Sequence, residues 1–258
     1  MMNTNVGTSI RMSEFLDSRD HRALLLDLTI ASSFGAVAGL EDIAKTLSQC
    51  NEIFDGIIMN PGQLEHHAHL LGGKLRSSPL VRVDWTNAAR GNDPGLPALK
   101  VTRVQLSDAE DALRLGASAT VATLLLGYDE EMEAENIRSV SRLALECYRL
   151  SLPVIADIRP MGGRVTADNF AGSIKLGVSF MMEAGADALI VPACDKETLS
   201  LIGSWSTVPV LVRLENLARP EEIQELFALG MSGIVFTEKI LAVSGFEGIV
   251  GSLRHLVH

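Results

Sequence analysis

The sequence predicts an α/β protein that forms a single (β/α)8 TIM barrel. One short unit recurs along the chain: a helix end, a Gly that can take a positive φ, and a buried strand. It appears at residues 113–121, 182–191 and 226–236. The length of 258 residues is close to that of one such barrel, about 250. Residues 1–258 are therefore expected to form one domain, with residues 1–18 as an N-terminal extension.

Eight short apolar runs are the predicted strands, because continuous apolar runs are typical of strands that are covered on both faces. They lie near residues 23–28, 55–59, 80–84, 120–125, 154–158, 188–191, 210–214 and 233–236. The clearest helix spans residues 130–151, with an apolar stripe on one face. Residues 84–97 form the longest irregular segment and are predicted to be a lid or an ordering loop. No GxGxxG motif follows the first strand, which gives little support to a dinucleotide-binding fold.

The composition is that of a soluble globular protein, with 47% hydrophobic and 21% charged residues. No apolar run approaches the roughly 20 residues of a membrane span, and residues 1–12 lack the pattern of a secretory signal. The three cysteines are far apart, which argues against a disulfide framework and a thiolate zinc site. The expected location is therefore the cytoplasm. The formal charge of -10 argues against nucleic acid and anionic membranes as partners.

Polar and charged residues follow most of the predicted strands, and in a (β/α)8 barrel the chemistry lies at that end. They are Asp27, Thr29, Asn60, Arg82, Asp84, Asp157, Arg159, Cys194, Arg213, Glu215, Thr237, Glu238 and Lys239. Three pairs of opposite charge are two residues apart and share a strand face: Arg82 with Asp84, Asp157 with Arg159, and Arg213 with Glu215. Since an isolated charge there would cost several kcal/mol, opposite charges are expected to pair. Two interpretations stay open: a polar site for a charged substrate or divalent ion, or a ring of structural salt bridges.

Two other features suggest chemistry at first sight. His66 and His69 would share one face of a helix, but His67 points elsewhere and no HExxH spacing is present. An exposed helix is the favoured interpretation, and no metal ligand is assigned there. Cys194 follows the sixth strand in an apolar setting without a nearby His, which favours a buried inert thiol over a nucleophile.

Several framework segments resemble one enzyme family. Residues 107–117, 152–158, 183–187 and 255–258 are similar to segments of the class I aldolase family of archaeal and bacterial type. That family includes fructose-bisphosphate aldolases, the autoinducer-2 thiolase and aminodideoxyheptulosonate synthase. The resemblance runs from about residue 11 to residue 258. It implies a TIM barrel, C–C bond chemistry as a lyase or transferase, and a homo-oligomer.

The catalytic positions implied by the resemblance are mostly replaced. Asp27 is kept, but Arg159 stands where the family has a proton-donating tyrosine. Ile190 stands at the position of the family's Schiff-base lysine, and an isoleucine has no amine with which to form an imine. Glu215 and Glu238 stand where the family binds a phosphate, and two carboxylates would repel that dianion. Ordinary fructose-bisphosphate aldolase activity is therefore not expected.

The first functional hypothesis is a divergent aldolase-family enzyme that acts on a small anionic carbonyl compound without the lysine imine. The expected catalytic residues are Asp27, Asp157, Arg159, Glu215 and Lys239, and the expected substrate-binding residues are Asn60, Asp84, Arg213 and Thr237. Arginine suits bidentate contacts with an anion, and a carboxylate can act as general acid or base. A Mg²⁺ or Mn²⁺ ion is an alternative electron sink, with Asp27, Asp84, Asp157 or Glu215 as its ligands.

Two further hypotheses come from different classes. Lys239 is a candidate for a relocated imine, because a neighbouring cation such as Arg213 lowers the pKa of a lysine. Alternatively, the chain is a catalytically inactive pseudo-aldolase with a structural, ligand-binding or regulatory role. An open polar pocket at the barrel mouth would favour an enzyme, whereas a mouth filled by side chains would favour a scaffold.

Overall fold

The computed structural model describes residues 5–35, 37–73, 76–91 and 95–258. Its strands are β1 (Ala23–Asp27), β2 (Gly56–Met59), β3 (Ser78–Arg82), β4 (Asp84–Thr86), β5 (Arg103–Gln105), β6 (Ala119–Leu126), β7 (Val154–Pro160), β8 (Ala188–Pro192), β9 (Val210–Leu214) and β10 (Gly233–Thr237). All except β4 and β5 form a closed parallel barrel in the order β1-β10-β9-β8-β7-β6-β3-β2. The predicted (β/α)8 barrel is therefore confirmed.

The helices return the chain from one strand to the next. They are α1 (Val6–Met12), α2 (Ala31–Phe34), α3 (Ile43–Cys50), α4 (Pro61–Leu71), α5 (Ala109–Arg114), α6 (Glu130–Leu150), α7 (Phe170–Glu183), α8 (Lys196–Trp205), α9 (Pro220–Ala228) and α10 (Phe246–Val257). Short 3-10 helices occupy Ala88–Arg90 and Glu238–Ala242. No helix in the described ranges is long and apolar enough to cross a membrane.

The recurring unit of the sequence is the joint between a helix and the next strand. Gly116, Gly185 and Gly230 follow α5, α7 and α9 with φ values of 81°, 93° and 87°. A side chain is strained in that left-handed region, so glycine lets the helix end and the chain turn into β6, β8 and β10. The local pattern thus fixes where three of the barrel strands begin.

Two apolar layers hold the fold together. The strands and the surrounding helices share an outer layer, and the inward-facing side chains fill the barrel. Phe15 and Leu16 belong to the inner layer, and the backbone oxygen of Glu14 accepts a hydrogen bond from Ser78 at the start of β3. The described part of the N-terminal extension therefore closes the N-terminal end of the barrel, which leaves the opposite end for a site.

The segment at residues 84–97 is more regular than the sequence predicts. Its first residues form β4, which pairs antiparallel with β5, and the 3-10 helix at Ala88–Arg90 follows. Trp85 donates a hydrogen bond from Nε1 to the backbone oxygen of Ser32 at 3.0 Å. Two strands of three residues are too short to show an alternating pattern, so the sequence did not reveal this hairpin. Residues 92–94 of the predicted loop lie outside the described residues.

Candidate functional site

The inner layer of the barrel changes from apolar to charged at the C-terminal ends of the strands. Along β1, β7 and β9 the inward positions run from Leu25, Ile155 and Leu211 to polar residues two positions further on. Side chains two residues apart face the same side of a strand. The inward positions at the mouth are Asp27, Arg82, Thr123, Asp157, Arg159, Arg213 and Thr237. A cavity of about 490 Å³ lies above them.

Arg82 is the centre of a buried network of ion pairs. Its Nη2 atom lies 3.0 Å from Oδ2 of Asp27 and 2.8 Å from Oδ2 of Asp157. Its Nε atom donates to Oγ1 of Thr29 at 3.0 Å, and its Nη1 atom donates to Oγ1 of Thr123 at 2.8 Å. Every nitrogen of this guanidinium is therefore occupied, which makes Arg82 a fixed part of the site floor.

Two more arginines join the same carboxylates from the cavity side. Arg213 donates from Nη1 to Asp27 at 3.0 Å and from Nη2 to Asp157 at 2.7 Å. Arg159 donates from Nε to Oδ2 of Asp157 at 2.9 Å, and its Nη2 atom lies 3.6 Å from Asp27. We call Asp27, Arg82, Asp157, Arg159 and Arg213 the arginine–aspartate cluster. With three guanidinium groups and two carboxylates, it carries a net positive charge.

The charges of the cluster set the protonation of its members. Burial alone would raise the pKa of Asp27 and of Asp157, but the three arginines outweigh it and hold both pKa values well below the usual range. Burial lowers the pKa of Arg159, and the charges of Arg213 and Arg82 oppose the attraction of Asp157. The two aspartates are therefore ionised anchors, which makes them poor proton carriers. This result argues against the acid–base role expected for them from sequence.

Asp84 is held by partners outside the cluster. Its carboxylate accepts hydrogen bonds from the Thr123 hydroxyl at 2.9 Å and from Arg103 Nε at 2.8 Å, and lies 3.9 Å from Arg82. Asp84 is almost fully buried and begins the β4–β5 hairpin. It joins the hairpin to the barrel, and its expected pairing with Arg82 is a long and secondary contact.

The predicted pair of Arg213 with Glu215 is wrong. Arg213 turns inward to the two aspartates, whereas Glu215 pairs with Lys239 at 2.5 Å. The side chains of Glu215 and Lys239 are 61% and 54% exposed. The reason is that β9 ends at Leu214, so Glu215 no longer follows the strand alternation. Both residues line the rim of the cavity rather than its floor.

Thr237 and Glu238 form the side of the cavity at the end of β10. Thr237 is buried, and its hydroxyl has no hydrogen-bond partner among the described residues. Burial raises the pKa of Glu238 above its usual value, and the charge of Asp27 adds to that shift. The sequence places Glu238 at a strand end, but Glu238 is not among the catalytic and substrate-binding residues predicted from it. Its position in Thr237-Glu238-Lys239, directly after a strand, was the available signal.

Asn60 does not line the cavity. Its backbone N–H donates to Oε1 of Gln63 at 2.9 Å, and its Nδ2 atom donates to the backbone oxygen of Thr29 at 3.1 Å. Because β2 ends at Met59 and α4 begins at Pro61, Asn60 serves as the helix N-cap. Its predicted role in substrate binding has no geometric support.

Ile190 occupies the interior of the barrel below the arginine–aspartate cluster. It is fully buried, and in the strand register it lies beside Asp157 and Leu211. Within the described part of the chain, Lys239 is the single lysine that lines the cavity. Its amine is at the rim in an ion pair with Glu215, so it is poorly placed for an imine at the cavity floor.

The arrangement at the mouth does not fit a divalent cation. Oxygen atoms of Asp27, Asp157 and Asp84 accept hydrogen bonds from arginines, and a cation among them would meet three guanidinium groups. Across the described ranges, three potential ligand residues come together at one place, Asp17, Asp20 and His258. That group lies at the N-terminal end of the barrel, next to Asp55 before β2.

The remaining sequence candidates lie away from this cavity. His66 and His69 are exposed on α4, as predicted. Burial raises the pKa of the Cys194 thiol to about 11, and the neighbouring Asp195 contributes to that shift. A thiol with that pKa is protonated near neutral pH and is a weak nucleophile, which agrees with the inert thiol inferred from sequence, although Cys194 is half-buried and not buried.

Relatives of known sequence are aldolase-type synthases. The chain is 25% identical over 193 residues to the 2-amino-3,7-dideoxy-D-threo-hept-6-ulosonate synthase of Halobacterium salinarum, covering 72% of this chain and 65% of that protein. It is 26% identical over 159 residues to the 2-amino-4,5-dihydroxy-6-oxo-7-(phosphonooxy)heptanoate synthase of Streptomyces griseus. That match covers 61% of this chain and 54% of that protein. The matches thus span less than two thirds of these relatives.

Solved structures and the family match extend the comparison. A Schiff-base-forming fructose-1,6-bisphosphate aldolase superposes with a TM-score of 0.78 at 18% identity, over 97% of this chain and 100% of the other. An archaeal fructose 1,6-bisphosphate aldolase superposes with a TM-score of 0.77 at 18% identity, over 97% of this chain and 98% of the other. At this identity the likeness concerns the fold alone.

Residues 20–197 match the DeoC/LacD family aldolases. Since that match covers more than half of the sequence, the chain belongs to the DeoC/LacD aldolase family.

Proposed function

We propose that this protein is an aldolase-family enzyme that makes or breaks a C–C bond beside the carbonyl group of a small anionic compound, without a lysine imine. One observation carries the proposal. Arg159 and Arg213 reach an open cavity from a buried, net positive cluster, and the fully buried Ile190 is the residue that the sequence resemblance aligns with the family's imine lysine.

Cleavage or formation of such a C–C bond requires an electron sink that stabilises the carbanion beside the carbonyl group. When a bond to the carbon beside a carbonyl breaks, its electron pair moves onto the carbonyl oxygen and gives an enolate. Fixed donors and positive charges aimed at that oxygen stabilise the enolate more than the neutral carbonyl. Arg159 and Arg213 are held in position by Asp27 and Asp157, so their orientation requires little reorganisation during the reaction.

Glu238 supplies the proton transfer in this proposal. Its raised pKa sets it apart from Asp27 and Asp157, whose carboxylates are kept ionised by the arginines. A carboxyl group is most effective as acid and base when its pKa approaches the working pH. Glu238 therefore accepts the proton when the C–H bond beside the carbonyl breaks. When the enolate carbon then attacks an aldehyde, Glu238 returns that proton to the new alkoxide oxygen, and in the reverse direction it takes the hydroxyl proton as the C–C bond breaks. The ionised aspartates orient the arginines.

The alternative role as a pseudo-aldolase has one point in its favour. The five residues of the arginine–aspartate cluster pair with each other, so the cluster can hold the strands together without a ligand. The cavity of about 490 Å³ above it, bordered by Thr237 and Glu238, supports the enzyme instead. A cavity of this size with a few converging polar groups is typical of small-molecule sites.

The proposal can be tested by solvent exchange. In D₂O the protein is mixed with pyruvate, 2-oxobutanoate, dihydroxyacetone or dihydroxyacetone phosphate, and loss of the C–H signal beside the carbonyl is followed by NMR. Protein-dependent exchange with at least one compound is expected, and it should be lost in Arg159→Ala. The matched control is Arg142→Ala, an exposed position on the outer helix α6. No exchange with any compound would contradict the proposal.

A further inference from the structure

We infer that the anionic group recognised by this site is a carboxylate next to an oxo group, as in a short 2-oxo acid, and not a phosphate ester. The inference rests on the proposed function, since it names the substrate class of the same cavity. Four features of the cavity carry it: the shape of the donors, the charge balance, an unpartnered hydroxyl and the apolar wall.

The first feature is the pair of guanidinium groups on the cavity side of the cluster. Arg159 and Arg213 both donate to Oδ2 of Asp157, so the two groups lie side by side. Nη1 of Arg159 and Nε of Arg213 have no acceptor among the described residues, and both side chains line the cavity, 21% and 13% exposed. Planar donors of this kind match the planar oxygen pair of a carboxylate.

The second feature is the charge balance of the wall. Among the described lining residues, four are acidic and four are basic: Asp27, Asp84, Glu215 and Glu238 against Arg82, Arg159, Arg213 and Lys239. The positive charges of these four basic residues are largely neutralised by ion pairs with carboxylates of the protein. A phosphate ester brings about two negative charges near neutral pH, whereas a carboxylate brings one. The wall therefore accommodates a monoanion with less repulsion than a dianion.

The position of two carboxylates strengthens this argument. Glu215 and Glu238 follow β9 and β10 and border the cavity on the same side. Lys239 is paired with Glu215 and brings no surplus positive charge to that side. Glu238 acts against a phosphate at short range, because a like charge on a partly buried group is weakly screened, whereas the exposed Glu215 contributes less.

The third and fourth features describe the rest of the ligand. Thr237 lines the cavity, and its buried hydroxyl has no partner in the described structure, so a rotation of this side chain would offer a donor to an oxygen next to the carboxylate. Phe34, Ile158 and Phe170 give the cavity an apolar wall. A short carbon chain would lie against these three residues, which offer no hydrogen bond to the hydroxyl groups of a sugar chain. These features together describe a short 2-oxo acid.

The test measures binding, independently of turnover. Isothermal titration calorimetry is carried out with the full chain against pyruvate, 2-oxobutanoate, inorganic phosphate and dihydroxyacetone phosphate. We expect the 2-oxo acids to bind at least tenfold more tightly than either phosphate compound. Arg159→Lys should weaken 2-oxo acid binding tenfold or more, because lysine keeps the charge but loses the planar group that bonds Asp157 and offers Nη1 to the ligand. Arg142→Lys on α6 is the matched control.

A second variant tests the source of the selectivity. The double substitution Glu215→Gln with Glu238→Gln keeps the size of both side chains and removes two negative charges. Phosphate binding should then increase at least tenfold relative to 2-oxo acid binding. Equal or tighter binding of phosphate by the unmodified protein, or no binding of any 2-oxo acid, would overturn the inference.

The outcomes separate this inference from the proposed function. Binding of a 2-oxo acid without solvent exchange of any compound would contradict the proposed function and leave the carboxylate assignment standing. Exchange with dihydroxyacetone phosphate, together with no binding of 2-oxo acids, would support an enzyme and overturn the carboxylate assignment.

Discussion

Arg213 on β9 and Asp157 on β7 are joined by a hydrogen bond of 2.7 Å, although strand β8 lies between their strands. The contact passes above Ile190 of β8, which is paired in register with Asp157. The ion pair thus lies beside the residue that the sequence resemblance aligns with the family's imine lysine. This relationship connects the packing of the barrel with the chemistry that we propose for its mouth.

The buried charge of Asp157 should contribute strongly to stability. In Asp157→Asn three arginines would face Asp27 alone, which leaves uncompensated positive charge in a buried place. Removal of one partner from a buried ion pair typically costs about 3–5 kcal/mol. Urea unfolding should show a loss of that size. Asp168→Asn, at an exposed position before α7, should change the free energy of unfolding by less than about 0.5 kcal/mol. Equal stability of both variants would mean that the cluster is not a structural unit.

The same carboxylates predict the dependence of stability on pH. The pKa values of Asp27 and Asp157 are lower in the folded protein than the value of about 3.9 for an unfolded aspartate. Their contribution is therefore complete above about pH 4 and is lost as the pH falls further toward the folded pKa values. Unfolding free energies measured from pH 7 to pH 2.5 should fall most steeply below about pH 4. The slope in that window should be smaller in Asp157→Asn, and an unchanged slope would contradict the assignment.

Glu238 should matter for proton transfer and much less for binding. Glu238→Gln keeps the shape of the side chain and removes the group that accepts the proton. Loss of a general acid or base typically reduces the rate by about 10²–10⁴, so exchange should slow by about that factor. Calorimetric binding of the 2-oxo acid should change by less than tenfold. Glu221→Gln, exposed in the first turn of α9, is the control. A full exchange rate in Glu238→Gln would assign the proton transfer to another group.

The fold was predictable because its signals are local. Buried apolar runs and glycine joints at Gly116, Gly185 and Gly230 mark the strands and their starts without knowledge of any distant contact. The inward residues of the site also followed from strand alternation, which placed Asp27, Asp157 and Arg213 together at one end. Membership in the aldolase family was anticipated from framework segments and was confirmed.

The partners within the site were less predictable because they depend on the closed barrel. Sequence spacing suggested Arg213 with Glu215, but barrel closure brings Asp27 and Asp157 to the arginine instead. Asn60 has the spacing of a site residue, and its role as a helix cap appears once the start of α4 is known. The importance of Glu238 depends on burial and on its distance from other charges, neither of which is present in a sequence pattern.

The most direct test of the central claim combines solvent exchange with reductive trapping. The protein is incubated with the 2-oxo acid that shows the fastest exchange, treated with sodium borohydride, dialysed and assayed again, and its intact mass is recorded. Chemistry without an imine predicts unchanged exchange activity and no added mass, because borohydride then has no C=N bond to reduce. Loss of activity with a covalent adduct, mapped to Lys239 or to any other lysine, would contradict the account.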